Sequence, residues 1–233
     1  MDTRWWTDRC YDLTKLLLWV AFRVGFGLEV RGQKHVPQRG GFVVASNHVS
    51  YLDPPLIGVA CPRQLSFMAR SSLFGHLPLG AFLRAVHVIP IARGERDMGA
   101  IREALSRLRH GDGVAIFPEG GRQLSGALGA AKRGVGLLAA AARVPIVPAV
   151  VSGTFQALPP SSNRLRLAKI RVAFGPAIPY TGALVSPTSP SAADAVGGEA
   201  EATPPRSCHQ DLADAVTQAW RRLAEQWNEP LNR

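Results

Sequence analysis

The feature that most constrains this chain is a series of short apolar runs, each stopped by polar or glycine residues. Phe42-Val43-Val44-Ala45 ends at Ser46-Asn47-His48, and Val114-Ala115-Ile116-Phe117 ends at Pro118-Glu119-Gly120-Gly121. A third run, Ile146 to Val151, ends at Ser152-Gly153. Runs this short have the length of buried strands and are too brief for buried helices. Helical patterns lie between them. Pro54 and Pro55 can open a helix through Leu56, Ile57 and Val59, because proline is tolerated in a first turn. Ile101, Ala104, Leu105 and Leu108 share one helical face, with Gly111 as a stop. A further helix is expected from Lys132 to Ala142. Val86 to Ile91 reads as another strand, with Pro90 marking its end or a sheet edge. Strands alternating with helices predict an α/β domain with a mixed, largely parallel central sheet flanked by helices. The 233 residues suit one such domain with appendages.

Both termini look like appendages. Leu16 to Phe22 is continuously apolar but bracketed by Lys15 and Arg23, too short for the roughly 20 residues of a spanning helix. Trp5, Trp6, Tyr11, Leu13, Leu17, Val20, Val24 and Phe26 sit among Arg4, Arg9, Lys15 and Arg23. Aromatics among snorkelling bases suit a helix lying in a membrane interface, and residues 1–27 are read as such an amphipathic element. The competing reading is a helix packed on the domain's own core. No secretory signal is expected, because acids lie among the first bases and no small-residue cleavage site follows the apolar stretch. Residues 181–207, rich in Pro, Ala, Ser, Gly and acids, are too poor in bulky apolar side chains to order themselves, and read as a flexible insertion. Within residues 208–233, Leu212, Val216, Ala219, Trp220, Leu223 and Trp227 form the stripe of an amphipathic helix, expected to dock on the core. A second membrane contact is the alternative.

Composition narrows the function. Twenty-seven Lys and Arg against 17 Asp and Glu leave a net charge of +10, yet only 19% of residues are charged. The excess reflects few acids, and it points to an anionic partner: nucleic acid, an acidic membrane surface or a phosphorylated substrate. The 46% hydrophobic content excludes a disordered chain. Three scattered cysteines, without CxxC or Cys/His spacing, argue against a disulfide scaffold or a metal site.

Two clusters carry chemistry. In Asn47-His48-Val49-Ser50-Tyr51-Leu52-Asp53, a His and an Asp five apart can meet across one turn. The carboxylate would fix the imidazole tautomer and raise the basicity of its far nitrogen. With no GxSxG-type nucleophile elbow, the pair suits a general base on a hydroxyl better than covalent catalysis. A surface His beside a helix-capping Asp is the structural alternative. In Phe117-Pro118-Glu119-Gly120-Gly121-Arg122, the glycines admit a ligand close to backbone, Arg122 offers a fork for phosphate, and Glu119 can orient it. A turn held by a Glu–Arg ion pair is the plainer reading. Arg93 follows Val88-Ile89-Pro90-Ile91-Ala92.

In this order, the clusters resemble the glycerolipid acyltransferases of the lysophosphatidic acid acyltransferase (1-acylglycerol-3-phosphate O-acyltransferase) type over about residues 28–180. Asn47, His48 and Asp53 match that family's Asn-His-x4-Asp motif, with Ser50 at a position where Ser is frequent. Ile89 to Arg93 match its second motif, Phe117 to Arg122 its Phe-Pro-Glu-Gly-(Thr/Ser)-Arg motif, and Val144 to Pro148 its Val-Pro-Ile-Val-Pro motif. Lys132-Arg133-Gly134 resembles a Lys-x-Gly element of the family. Four ordered motifs are far more specific than any one.

The resemblance implies phosphatidic acid synthesis for phospholipids. His48, oriented by Asp53, would deprotonate the free hydroxyl of a lysophospholipid acceptor, which attacks the thioester of acyl-CoA or acyl-acyl carrier protein. No acyl-enzyme, metal or cofactor beyond that co-substrate is expected. Asn47, Ser50, Arg93, Glu119, Gly120 and Arg122 would bind substrate, the two arginines at its phosphate. Val144, Pro145 and Pro148 would line an acyl pocket or be structural. The implied setting is peripheral or monotopic, on the cytoplasmic face of the cell membrane with its anionic lipids, and nucleic acid is not an expected partner. Gly121 replaces the family's hydroxyl residue, and Arg70 stands where the family often has Lys. Arg164, Arg166, Lys169 and Arg171 form a basic cluster that could face headgroups or an acidic donor, or be a solvated face. The same chemistry on another acceptor is the nearest alternative. A non-enzymatic basic protein for membrane or nucleic acid is the distant one.

Overall fold

A computed structural model of the protein describes residues 4–92, 97–180 and 206–228. In chain order the helices are α1 (Arg4–Phe26), α2 (Asp53–Ala60), α3 (Leu77–Ala85), α4 (Met98–Arg109), α5 (Gly134–Ala142), α6 (Thr154–Ala157) and α7 (Arg206–Asn228). The strands are β1 (Glu29–Arg31), β2 (Phe42–Ser46), β3 (Leu65–Arg70), β4 (Ile89–Ile91), β5 (Gly113–Ile116), β6 (Ile146–Ser152) and β7 (Arg171–Phe174). They form one seven-stranded sheet in the order β1-β7-β6-β2-β5-β3-β4. Every neighbouring pair is parallel except β6 and β7. The expected mixed, mostly parallel sheet flanked by helices is therefore what the chain forms.

The apolar runs are strands because both faces of the sheet are covered. All five residues of β2 are buried, and they alternate between two cores. Phe42 and Val44 pack with Leu56, Ile57 and Val59 of α2 and Phe22 of α1. Val43 and Ala45 pack on the opposite side with α4, α5 and α7. The α7 stripe docks there as expected: Leu212, Val216 and Trp220 are fully buried, and each such side chain contributes about 1.5–3 kcal/mol. At Gly136 of α5 an added Cβ would stand 2.2 Å from the His209 carbonyl oxygen, so only glycine lets α5 and α7 pack this closely.

The strand expected over 86–91 is shorter. Residues 77–85 form α3, and its exit puts His87 in the left-handed region at φ 62°, so pairing begins only at Ile89. Pro90 is tolerated because β4 is an edge.

The N-terminal helix packs one side on the core and leaves apolar side chains of another side exposed. Tyr11 and Phe22 are buried, and the Leu65 N–H donates to the Tyr11 hydroxyl at 3.0 Å. Lys15 and Arg23 turn back to the Cys61 and Leu28 carbonyls. Yet Trp6, Leu13, Leu16, Leu17, Trp19, Val20 and Val24 are exposed, Val24 at 81%. No described helix is long and apolar enough to cross a membrane. The expected insertion lies, up to residue 205, outside the described residues.

Candidate active site

β2 and β5 are parallel neighbours at the middle of the sheet, so the loops leaving their C-terminal ends meet at one edge. That edge is where α/β sheets gather ligands. The two motif loops occupy it.

His48 leaves β2 with its ring 4.2 Å from the Phe117 ring, stacked at 26°. Its Nδ1 lies 3.0 Å from Asp53 Oδ2. The same carboxylate oxygen accepts the Val49 and Ser50 N–H groups, each at 2.7 Å. Asp53 is fully buried in the first turn of α2, where a carboxylate is favoured by the helix dipole. Three donors on one oxygen fix the carboxylate, and the carboxylate fixes the imidazole.

The second loop grips the first by its backbone. Glu119 Oε2 accepts the His48 N–H at 2.9 Å, and Oε1 accepts the Gly129 N–H at 2.9 Å. The Gln123 N–H donates to the His48 carbonyl at 2.8 Å. Burial pushes the Glu119 carboxyl above its ordinary range, while the two amide donors pull it back down. Glu119 is thus a buried brace under His48. Gly120 takes φ 79°, and a Cβ there would stand 2.7 Å from Lys132 Nζ, so glycine lets an ammonium lie over the turn.

Arg122 lies flat on Tyr51, its guanidinium carbon 3.5 Å from the ring centroid. One terminal nitrogen, NH1, is buried without a hydrogen-bond partner. Its fork is preset for an anion.

Asn47 and Ser50, expected to touch substrate, have their side chains bonded within the protein. The Asn47 amide exchanges two hydrogen bonds with Val151 on β6, at 2.8 and 3.0 Å. The Ser50 hydroxyl donates to the Leu158 carbonyl and accepts the Leu52 N–H. Both residues are buried and hold the His48 loop against β6 and the turn after α6. Val144 and Pro145 sit at the start of β6, the end of the sheet away from His48, with Val144 in the second core. Pro148 is mid-strand, paired with Ala45 and accepting the Gly175 N–H where β7 ends. Arg93 lies outside the described residues.

Sequence reasoning missed the parts played by Tyr51, Phe117, Gln123 and Gly129. Tyr51 carried a signal, an aromatic in the spacer of a polar motif. The contribution of a backbone N–H such as that of Gly129 has none. Among the described residues no group of three His, Cys, Asp or Glu could hold a metal ion.

Known proteins resemble this chain in sequence and in fold. The chain is 32% identical over 128 residues to the 1-acyl-sn-glycerol-3-phosphate acyltransferase of Bacillus subtilis (strain 168), covering 54% of this chain and 63% of that protein. It is 33% identical over 189 residues to 1-acyl-sn-glycerol-3-phosphate acyltransferase alpha of Homo sapiens, covering 79% of this chain and 66% of that one. The chain thus spans slightly under two thirds of these curated relatives. The crystal structure of the 1-acyl-sn-glycerophosphate (LPA) acyltransferase PlsC from Thermotoga maritima shares the fold, with a TM-score of 0.73 at 19% identity over 97% of this chain and 81% of that one. The sequence model of the family described as Acyltransferase matches residues 27–152, more than half of the chain and both motif loops, and the chain belongs to that family.

Proposed function

We propose that the protein transfers a fatty acyl group from an acyl thioester, acyl-CoA or acyl-acyl carrier protein, to the free hydroxyl of 1-acyl-glycerol-3-phosphate, making phosphatidic acid. The observation that carries this reading is the His48–Asp53 pair braced by Glu119 beside an arginine with an unpaired nitrogen. With Nδ1 bonded to Asp53, Nε2 is left for the acceptor. It takes the hydroxyl proton as the oxygen attacks the thioester carbon. The tetrahedral adduct then collapses, the C–S bond breaks, and the proton on Nε2 passes to the departing thiolate. Arg122 and Arg93 hold the acceptor phosphate, Lys132 adds charge over Gly120, and no cofactor is required.

The exposed apolar side of α1 supports membrane-interfacial binding, which suits a lipid acceptor. Acyl thioesters place this reaction on the cytoplasmic face of the cell membrane. Residues 28–180 together with the docked α7 constitute the catalytic unit. The test is thioester consumption by purified protein with a panel of acceptors. Turnover with lysophosphatidic acid and none with glycerol-3-phosphate is expected. Turnover only with a phosphate-free acceptor would refute the arginine assignment.

A further inference from the structure

A cavity of about 420 Å³ opens beside the active-site edge and has no part in the mechanism above. Ser152, Gly153 and Gln156 form one wall, Lys169 and Arg171 a second, and Trp227 of α7 a third. Because β7 runs against β6, Arg171 pairs with Ser152 and stands at the same edge as the His48 loop. Two strand spacings, about 10 Å, separate β7 from β2 along that edge. Asn47 ties the two regions together through Val151, the residue before Ser152.

The charge is unbalanced. Lys169 and Arg171 share one carboxylate, Glu29, at 2.5 and 3.6 Å. Arg31 lies 4.0 Å over the Trp227 ring, and the Arg171 guanidinium lies 5.3 Å from it on the cavity side. Three cations thus face one anion. The Arg171 Nε that faces Glu29 makes an ion pair but no hydrogen bond, so this carboxylate holds the guanidinium only loosely. Val150, Ala168 and Ala224 complete a lining that is apolar in part, and its cationic wall of Lys169 and Arg171 suits phosphate oxygens.

We infer that this cavity binds the phosphate-bearing nucleotide end of a coenzyme A thioester, resting on the acyl-transfer reading above. A pantetheine arm, two amides with their spacers, spans about 15 Å at peptide dimensions, enough to reach from the cavity to the His48 loop. The arm leaves the thioester carbonyl at His48 while the phosphates meet Lys169 and Arg171. Trp227 and the neutral donors of Ser152 and Gln156 complete the wall.

The test compares acyl-CoA with acyl-pantetheine, which lacks the phosphates, in wild type and in Lys169→Gln/Arg171→Gln. Wild type should favour acyl-CoA, and in the double variant this kcat/KM preference should collapse about tenfold or more, the size of a lost charge-assisted bond. An equal loss with both donors would overturn the proposal, as would an unchanged preference. So would a loss confined to the acceptor KM, or to co-sedimentation with phosphatidylglycerol vesicles, because the phosphate would then belong to a lipid. Calorimetric binding of free CoA needs no turnover. Weaker binding by the double variant, with a circular dichroism spectrum unchanged from wild type, supports the cavity even where every acceptor fails. Absence of CoA binding by wild type overturns it.

Discussion

Asp53→Asn separates what the carboxylate does for the fold from what it does for chemistry. One Asp53 oxygen accepts from the His48 ring and from the Val49 and Ser50 amides, and the other is buried without a partner. Asparagine can keep its oxygen under all three donors. Its NH2 then occupies the partnerless buried position, an unsatisfied donor worth about 1–3 kcal/mol, partly offset because a buried charge is removed. At about 2–4 °C per kcal/mol for a domain this size, the melting point should fall by no more than roughly 12 °C. The chemical loss is larger. A neutral amide cannot stabilise the imidazolium that forms when His48 takes the acceptor proton, and such a replacement in another His–Asp system slows turnover about 10⁴-fold. A loss of about 10³–10⁴ here corresponds to roughly 4–5.5 kcal/mol at 1.36 kcal/mol per decade. The assay is thiol release from an acyl thioester, run well below the variant's melting point. Adding Asp53→Asn to His48→Ala should slow the reaction little further, since the two act as one unit. A folded Asp53→Asn protein within tenfold of wild-type turnover would refute the reasoning, as would a multiplicative double loss.

Tyr51→Ala should raise the acceptor KM by about tenfold with kcat nearly kept, while Tyr51→Phe, which retains the ring under Arg122, should stay near wild type in steady-state kinetics. Leu17→Glu with Val24→Glu alters only exposed positions of α1 and should move the protein from vesicle pellet to supernatant while lowering its unfolding free energy by no more than about 1 kcal/mol. Burial, and then the Arg107 charge, lowers the His87 pKa against the pull of Asp8 and Asp112. The folded state therefore disfavours charged His87, and the stability contributed by its neutral form is present above the ordinary histidine value of about 6.5 and lost as pH falls. Relative to His87→Asn, which tolerates φ 62°, wild type should lose melting temperature between about pH 7.5 and 5.

The parts of the molecule legible in the sequence are those with long apolar runs or dense motifs. β2, β5 and β6 are buried on both faces, so their runs are continuous, and His48, Asp53 and Glu119 follow strands whose ends were visible. β1 and β7 were not legible, because β1 is only Glu29–Arg31 with a charge at each end, and β7 is a four-residue strand that opens on Arg171. α3 was hidden by its own exposure. Leu77, Leu79 and Phe82 face outward, so its hydrophobic pattern does not trace a core. The braces of the site escaped for another reason. Asn47 and Ser50 have the chemistry of substrate ligands, and only the fold reveals that β6 and the Leu158 carbonyl already hold them.

The indole of Trp220 donates to the Ala45 carbonyl at 2.9 Å, three residues before His48. Seen through synthesis of the chain, this bond forms late. A nascent chain can complete every strand by Phe174 and still lack the layer that α7 supplies. Until residues 206–228 leave the ribosome, Val43 and Ala45 lack the cover of α7, and the Ala45 carbonyl lacks its indole donor. The chain should therefore be prone to association through that bare face until α7 closes it.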